Sequence, residues 1–123
     1  MLFRSRQRSR TTWTRILDDL WRKAILQRDQ HKCRRCGATE QLQAAHIHSR
    51  KFRSTRWVTE NGHCLCARCH FWAHQHPTSW TRWLAGEIGD DMLTKLERWA
   101  NTPAHVTIPF LQDTEQQLLK EIE

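Results

Sequence analysis

The stretch from Cys33 to His76 opens with Cys33-Arg34-Arg35-Cys36 and runs through Ala44-Ala45-His46-Ile47-His48. It closes with Asn61-Gly62-His63-Cys64-Leu65-Cys66-Ala67-Arg68-Cys69-His70, and His74 follows one helical turn later. Each Cys-x-x-Cys pair can set two thiolates on one side of a metal ion, because a tight turn aims both sulfurs inward. Two such pairs complete a tetrahedral four-thiolate site for Zn²⁺, which is closed and therefore structural: Cys33, Cys36, Cys66 and Cys69. The 29 residues between Cys36 and Cys66 leave room for a hairpin pinned between the pairs. Four ordinary reduced cysteines would not need this paired spacing. Cys64, the fifth cysteine, reads as a small buried hydrophobe.

The histidines form a second layer. His70 and His74 are four apart, so on a helix they share one face and can grip one ion. No helix breaker stands between Ala67 and Pro77. Leu42-Gln43-Ala44-Ala45-His46-Ile47 reads as a strand. An imidazole on a strand beside a helix that carries metal ligands is a general base next to a metal, a combination that cleaves phosphodiesters.

His46, Asn61 and His70, with the cysteine pairs before and around them, resemble the HNH endonucleases, also called the His-Me finger or ββα-metal family. The ending Asn61…Cys66-x-x-Cys69-His70 is similar to that family's pattern. The run Ala45-His46-Ile47-His48-Ser49-Arg50, then Ser54-Thr55-Arg56-Trp57, looks most like the phage recombination nucleases. The likeness spans roughly residues 28–80. It implies a small α+β fold, a zinc-stabilised ββα-metal core with helices at both ends. It also implies hydrolysis of DNA to a 3′-hydroxyl and a 5′-phosphate, with His46 as base and His70 as a ligand of the catalytic metal. Asn61 either ties the loop that carries His46 or joins the metal. Many members carry a metal-binding Asp just before the base, where this chain has Ala45. Either His74 replaces that ligand or the site is weakened. Mg²⁺ or Mn²⁺ would be the ordinary nuclease ion; two imidazoles would also suit Zn²⁺ or Ni²⁺.

Composition fits this reading. A chain of 123 residues is expected to form one domain with a small core, in which seven Trp carry much of the burial. A mean hydropathy of −0.79 and no apolar run of eighteen exclude a membrane span. Met1 to Arg10 is basic without the apolar core of a secretory signal. Cys-x-x-Cys pairs in that setting imply a reducing cytoplasm, that of a bacterial host if the chain is phage-encoded. Residues 1–56 carry 15 Lys and Arg against 4 Asp and Glu; residues 57–123 carry 5 against 9. The net charges, +11 and −4, put the basic half around the proposed site, as a polyanion binder requires.

Residues 1–11 read as a flexible basic arm and 12–123 as the nuclease domain, with a helical extension from 78 to 123. Trp13, Ile16, Leu17, Leu20, Trp21, Ala24 and Ile25 form one stripe of an amphipathic helix capped by Thr11 or Thr12. Arg15, Arg22, Lys23 and Arg28 lie off that stripe, facing DNA or water. Arg34 and Arg35 sit at the exposed tip of the first cysteine pair. Arg50, Lys51, Arg53 and Arg56 form a basic loop after His46, expected to contact DNA phosphates. Trp57-Val58 is the expected start of the return strand, and Asn61-Gly62 a turn. His48 and His63 read as polar surface residues. Helices are expected from Pro77, from Asp90 or Asp91, and from Thr114 to Glu121. The last has one apolar edge, which would pack on the body or on a second subunit of a homodimer. The rival to an endonuclease is a non-catalytic zinc-containing module that binds DNA, a reading that Ala45 keeps open.

Overall fold

The computed structural model describes residues 7–122, so the first six residues of the expected arm lie outside it. The architecture is α+β: a two-stranded antiparallel sheet and five helices, in the order α1 (Arg10–Arg28), β1 (Leu42–His46), β2 (Gly62–Cys66), α2 (Ala67–Gln75), α3 (Pro77–Ile88), α4 (Asp90–Ala100) and α5 (Ile108–Glu121). No helix among the described residues is long and apolar enough to cross a membrane.

Ser9, not Thr11 or Thr12, caps α1: its Oγ accepts the Thr12 N–H at 3.1 Å. A residue ahead of the first turn can reach the free N–H groups there, whereas Thr11 and Thr12 already lie inside the helix. Arg10 and Thr11, expected in the arm, thus lie in the helix, and Arg8 is fastened to Glu115 on α5 at 2.9 Å. The expected stripe buries Trp13, Leu17, Trp21, Ala24 and Ile25. At the far end of α1, the Asp29 carboxylate accepts from Arg28 and from the backbone N–H of Cys64, at 2.9 and 2.8 Å. That bolts α1 to β2.

The strands pair from Leu42↔Cys66 to His46↔Gly62. The register places the second cysteine pair at one end of the hairpin and His46 at the other. The return strand begins at Gly62, after a short 3₁₀ turn (Thr59–Asn61), and not at Trp57. Trp57 has strand-forming character, but its indole N–H donates to Asp18 at 2.8 Å and the ring is buried in the core. Cys66 turns the chain into α2, its sulfur accepting the Cys69 N–H.

The two hairpin faces carry separate cores. Alternation sends Ala44 and Cys64 to the core built by α1 and α5, and Ala45 and Leu65 to the core with the other cysteines, α2 and α3, while Leu42 packs against both. α5 starts at Ile108, six residues before the expected Thr114. Thr107 caps it, and Pro109 sits in the first turn, where its missing N–H costs nothing. Its buried Leu111 and Leu118 belong to the α1 core and Ile122 packs against it, whereas Leu119 on the same edge is exposed.

Candidate functional site

Cys33, Cys36, Cys66 and Cys69 converge, with all four sulfurs within 4.8 Å of one another. Gly37 makes the first turn possible: it adopts φ 81, open to glycine at little cost, and donates to the Cys33 carbonyl at 2.8 Å. Zn–S bonds of ~2.3 Å in a tetrahedron would set sulfurs about 3.8 Å apart. Cys36 and Cys66 sulfurs lie at 3.7 Å. The four residues are thus positioned to hold one metal ion, and their spacing fits zinc. Burial pushes the Cys33 thiol up, but N–H groups of Cys66, Cys36 and Arg35 outweigh it and bring it down to about 6. Burial takes Cys69 the other way, to about 12. Cys64, buried in the α1 core, takes no part; burial and the Asp29 charge raise its thiol to about 11.

His46 stands at the end of β1, clamped on two sides. Its ring stacks on Trp21 with centroids 3.9 Å apart and planes 9° from parallel. Its Nε2 lies 2.9 Å from the backbone oxygen of Arg56. A carbonyl only accepts, so Nε2 carries the proton and Nδ1 keeps its lone pair. Burial lowers the imidazole's proton affinity below the ordinary range, and the neutral form prevails at neutral pH. Behind this clamp, Asp18 accepts both the Arg56 guanidinium, at 3.0 and 2.8 Å, and the Trp57 indole. Gly62, opposite His46, leaves room for the Trp21 ring; any Cβ there would overlap it. Asp18, Trp21 and Gly62 were not singled out from sequence as site residues, because each acts through partners far away in the chain.

His70 and His74 lie on α2 with Nε2 atoms 3.2 Å apart. Metal–nitrogen bonds of ~2.0–2.1 Å at octahedral or tetrahedral angles would set two nitrogens roughly 2.8–3.4 Å apart, so the pair has the spacing of two ligands of one ion. His70 Nδ1 donates to Gln43 Oε1 at 2.6 Å. Gln43 is another residue that sequence reasoning passed over, since an exposed amide on a strand carries no signal of its own. Ala45, buried on the same face of β1, offers no ligand. His46, Ala45, His70 and His74 line one open cleft of about 790 Å³, together with Trp21, Arg22, Asp18 and Arg50.

Asn61 is fully buried. Its Oδ1 accepts the His48 N–H at 2.8 Å, and its Nδ2 donates to the His48 and Thr55 carbonyls, both at 3.1 Å. Three bonds to the loop after His46 employ both ends of the amide. His48 is half-buried and leaves the strand line, its backbone held by Asn61. His63 is not on the surface: it is 1% exposed, edge-on to Trp80 and Trp83, with neither ring nitrogen hydrogen-bonded.

The basic residues divide. Arg56 is held by Asp18, and Arg28 donates to the Thr59 and Gly62 carbonyls, so both serve the fold. Arg34 is half-buried and pairs with Glu87, whereas Arg35 is exposed as expected, its guanidinium 3.6 Å over the Trp72 ring. Arg50 and Arg22 line the histidine cleft and Lys51 is exposed beside it in sequence. Arg53 lines a second cleft, with Glu60, Asp113 and Glu121.

Set against known proteins, the chain matches no family model, no curated protein and no solved structure.

Proposed function

We propose that this protein is a metal-dependent HNH-type endonuclease that hydrolyses DNA phosphodiester bonds, with His46 as general base. The observation that carries the reading is the convergence of His46, with a fixed tautomer and a free Nδ1, and the His70–His74 pair in one cleft. The β1–β2 hairpin and α2 that line the cleft, next to the four-cysteine cluster, support this reading.

His46 Nδ1 takes the proton of the attacking water, and the Arg56 carbonyl steadies the imidazolium through Nε2–H. Asn61 is a positioning residue in this scheme, holding the loop from His48 to Thr55. His70 and His74 would hold the divalent ion, which supplies charge to polarise the phosphate and stabilise the leaving oxygen. Arg50 and Arg22 bind phosphates along the cleft. Zn²⁺ in the thiolate cluster is structural.

One observation favours the rival, a non-catalytic zinc module that binds DNA. The only carboxylate that lines the cleft among the described residues, Asp18, is already held by Arg56 and Trp57, and Ala45 adds no third ligand. Nicking of supercoiled plasmid by wild-type protein, titrated with Mg²⁺, Mn²⁺, Ni²⁺ and Zn²⁺, separates the two. Metal-dependent nicking that a chelator stops is expected; DNA binding without nicking in any of the four ions gives the case to the module.

A further inference from the structure

An imidazole can bind a metal only through a nitrogen that lacks a proton, and a neutral ring can place its single proton on either one. Which one it uses at His70 is settled by β1. Gln43 sits opposite Leu65 in the hairpin, two residues before Ala45, and alternation puts both on the face toward α2. Ala45 is too short to reach α2's polar side. Gln43 is long enough, and its Oε1 meets His70 Nδ1 at 2.6 Å. An amide oxygen has no proton to give, so Nδ1 must carry it. The lone pair is left on Nε2, the atom that faces His74 Nε2 at 3.2 Å.

We propose that Gln43 is a positioning residue for the paired histidines: its amide oxygen holds His70 in the Nδ1–H tautomer and keeps Nε2 open to a divalent ion shared with His74. The inference rests on the reading of His70 and His74 as a metal pair and deepens it. The two histidines then have different roles. His70 is set in advance. His74 Nδ1 has no hydrogen-bond partner among the described residues, so without an ion its Nε2–H donates to His70, and its proton must move to Nδ1 when an ion binds. A Gln in this role fixes the tautomer without adding a charge; a Glu would fix it and raise the ring's basicity. Partners of this kind typically change metal affinity about 10–100-fold.

The test uses the full chain with zinc in its thiolate cluster. Long-range ¹H–¹⁵N spectra at pH 7.5, without further metal, are expected to show His70 protonated at Nδ1. Gln43→Leu should lose that preference, while Gln43→Glu keeps it. Calorimetric titration with Ni²⁺ should then show binding about 10–100-fold weaker in Gln43→Leu and near wild type in Gln43→Glu. The melting temperature, which a merely structural contact would move, should stay the same in all three. An Nε2–H tautomer of His70 in wild type, or equal Ni²⁺ affinity in Gln43→Leu, overturns the role of Gln43 alone. Wild-type protein that takes up no Ni²⁺ beyond the cluster overturns the metal pair and the role of Gln43 with it.

Discussion

His63 is the least comfortable residue in the structure. A neutral imidazole has one N–H donor and one acceptor, and here both are buried without partners. Such a group costs about 1–3 kcal/mol of desolvation that nothing offsets. His63→Leu should therefore raise stability by about that amount in urea melts, and a fall of similar size would show that an unseen partner holds the ring. The same burial, with the charges of Arg34 and Arg28, pushes its proton affinity down to about 4. Unfolded chains bind that proton near pH 6.5. Between these values the unfolded state takes up a proton that the folded state refuses, so His63 contributes a loss of stability as pH falls from about 6.5 to 4 and none above. His63→Leu should shrink the loss across that window; an identical pH profile in wild type and variant would exclude it. The burial of His63 was hidden in the sequence, because its neighbours Trp80 and Trp83 arrive from α3.

A metal ion in the cysteine cluster is expected to stabilise the hairpin and α2 more than their own hydrogen bonds do. Two strands of five residues are marginal alone, and apparent binding free energies of structural zinc run to roughly 10–16 kcal/mol. Cys36→Ser should remove most of the cooperative melting transition, or lower its midpoint sharply, and chelation should do the same to wild type. A variant that melts at the wild-type temperature would show that the cores hold the hairpin unaided. These elements were legible because their signals are local: paired cysteines, an unbroken run from Ala67 to Gln75, and alternation around Ala44. Three boundaries were not. Ser9 does not stand out as the α1 cap, because Thr11 and Thr12, just after it, are also capping residue types. Trp57 has strand character, but Asp18, 39 residues away, claims its indole. Thr114 reads as the start of α5, but Thr107 caps it earlier, with Pro109 in its first turn. Only at Trp57 does a contact distant in sequence override the local preference; the caps at Ser9 and Thr107 are themselves local.

Across the whole molecule, positive charge gathers where the histidines open, though not through every basic residue that sequence reading assigned to DNA. Arg50 lines the cleft without an ion pair among the described residues, whereas Arg56 is 16% exposed and fastened to Asp18. On B-DNA, each lost phosphate contact takes about 0.9 off the slope of log affinity against log salt. Arg50→Ala and Lys51→Ala should each flatten the slope by about that much and leave the melting temperature alone. Arg56→Ala should do the reverse, keeping the slope and losing about 1.5–3 kcal/mol of stability with its charged hydrogen bonds. Unchanged slopes for Arg50 and Lys51 would move the DNA face to another side of the protein. The distribution of charge between halves was legible; the division of labour inside the loop was not, since Arg50 and Arg56 look alike until Asp18 is placed. The claim that ties these scales together is that His46 is the base of a nuclease. It is tested most directly by plasmid nicking with wild type and His46→Ala at matched DNA affinity and saturating metal. The rate should fall about 10²–10⁴-fold in the variant, with DNA binding unchanged and the protein still folded at the assay temperature; nicking by His46→Ala at the wild-type rate would contradict it.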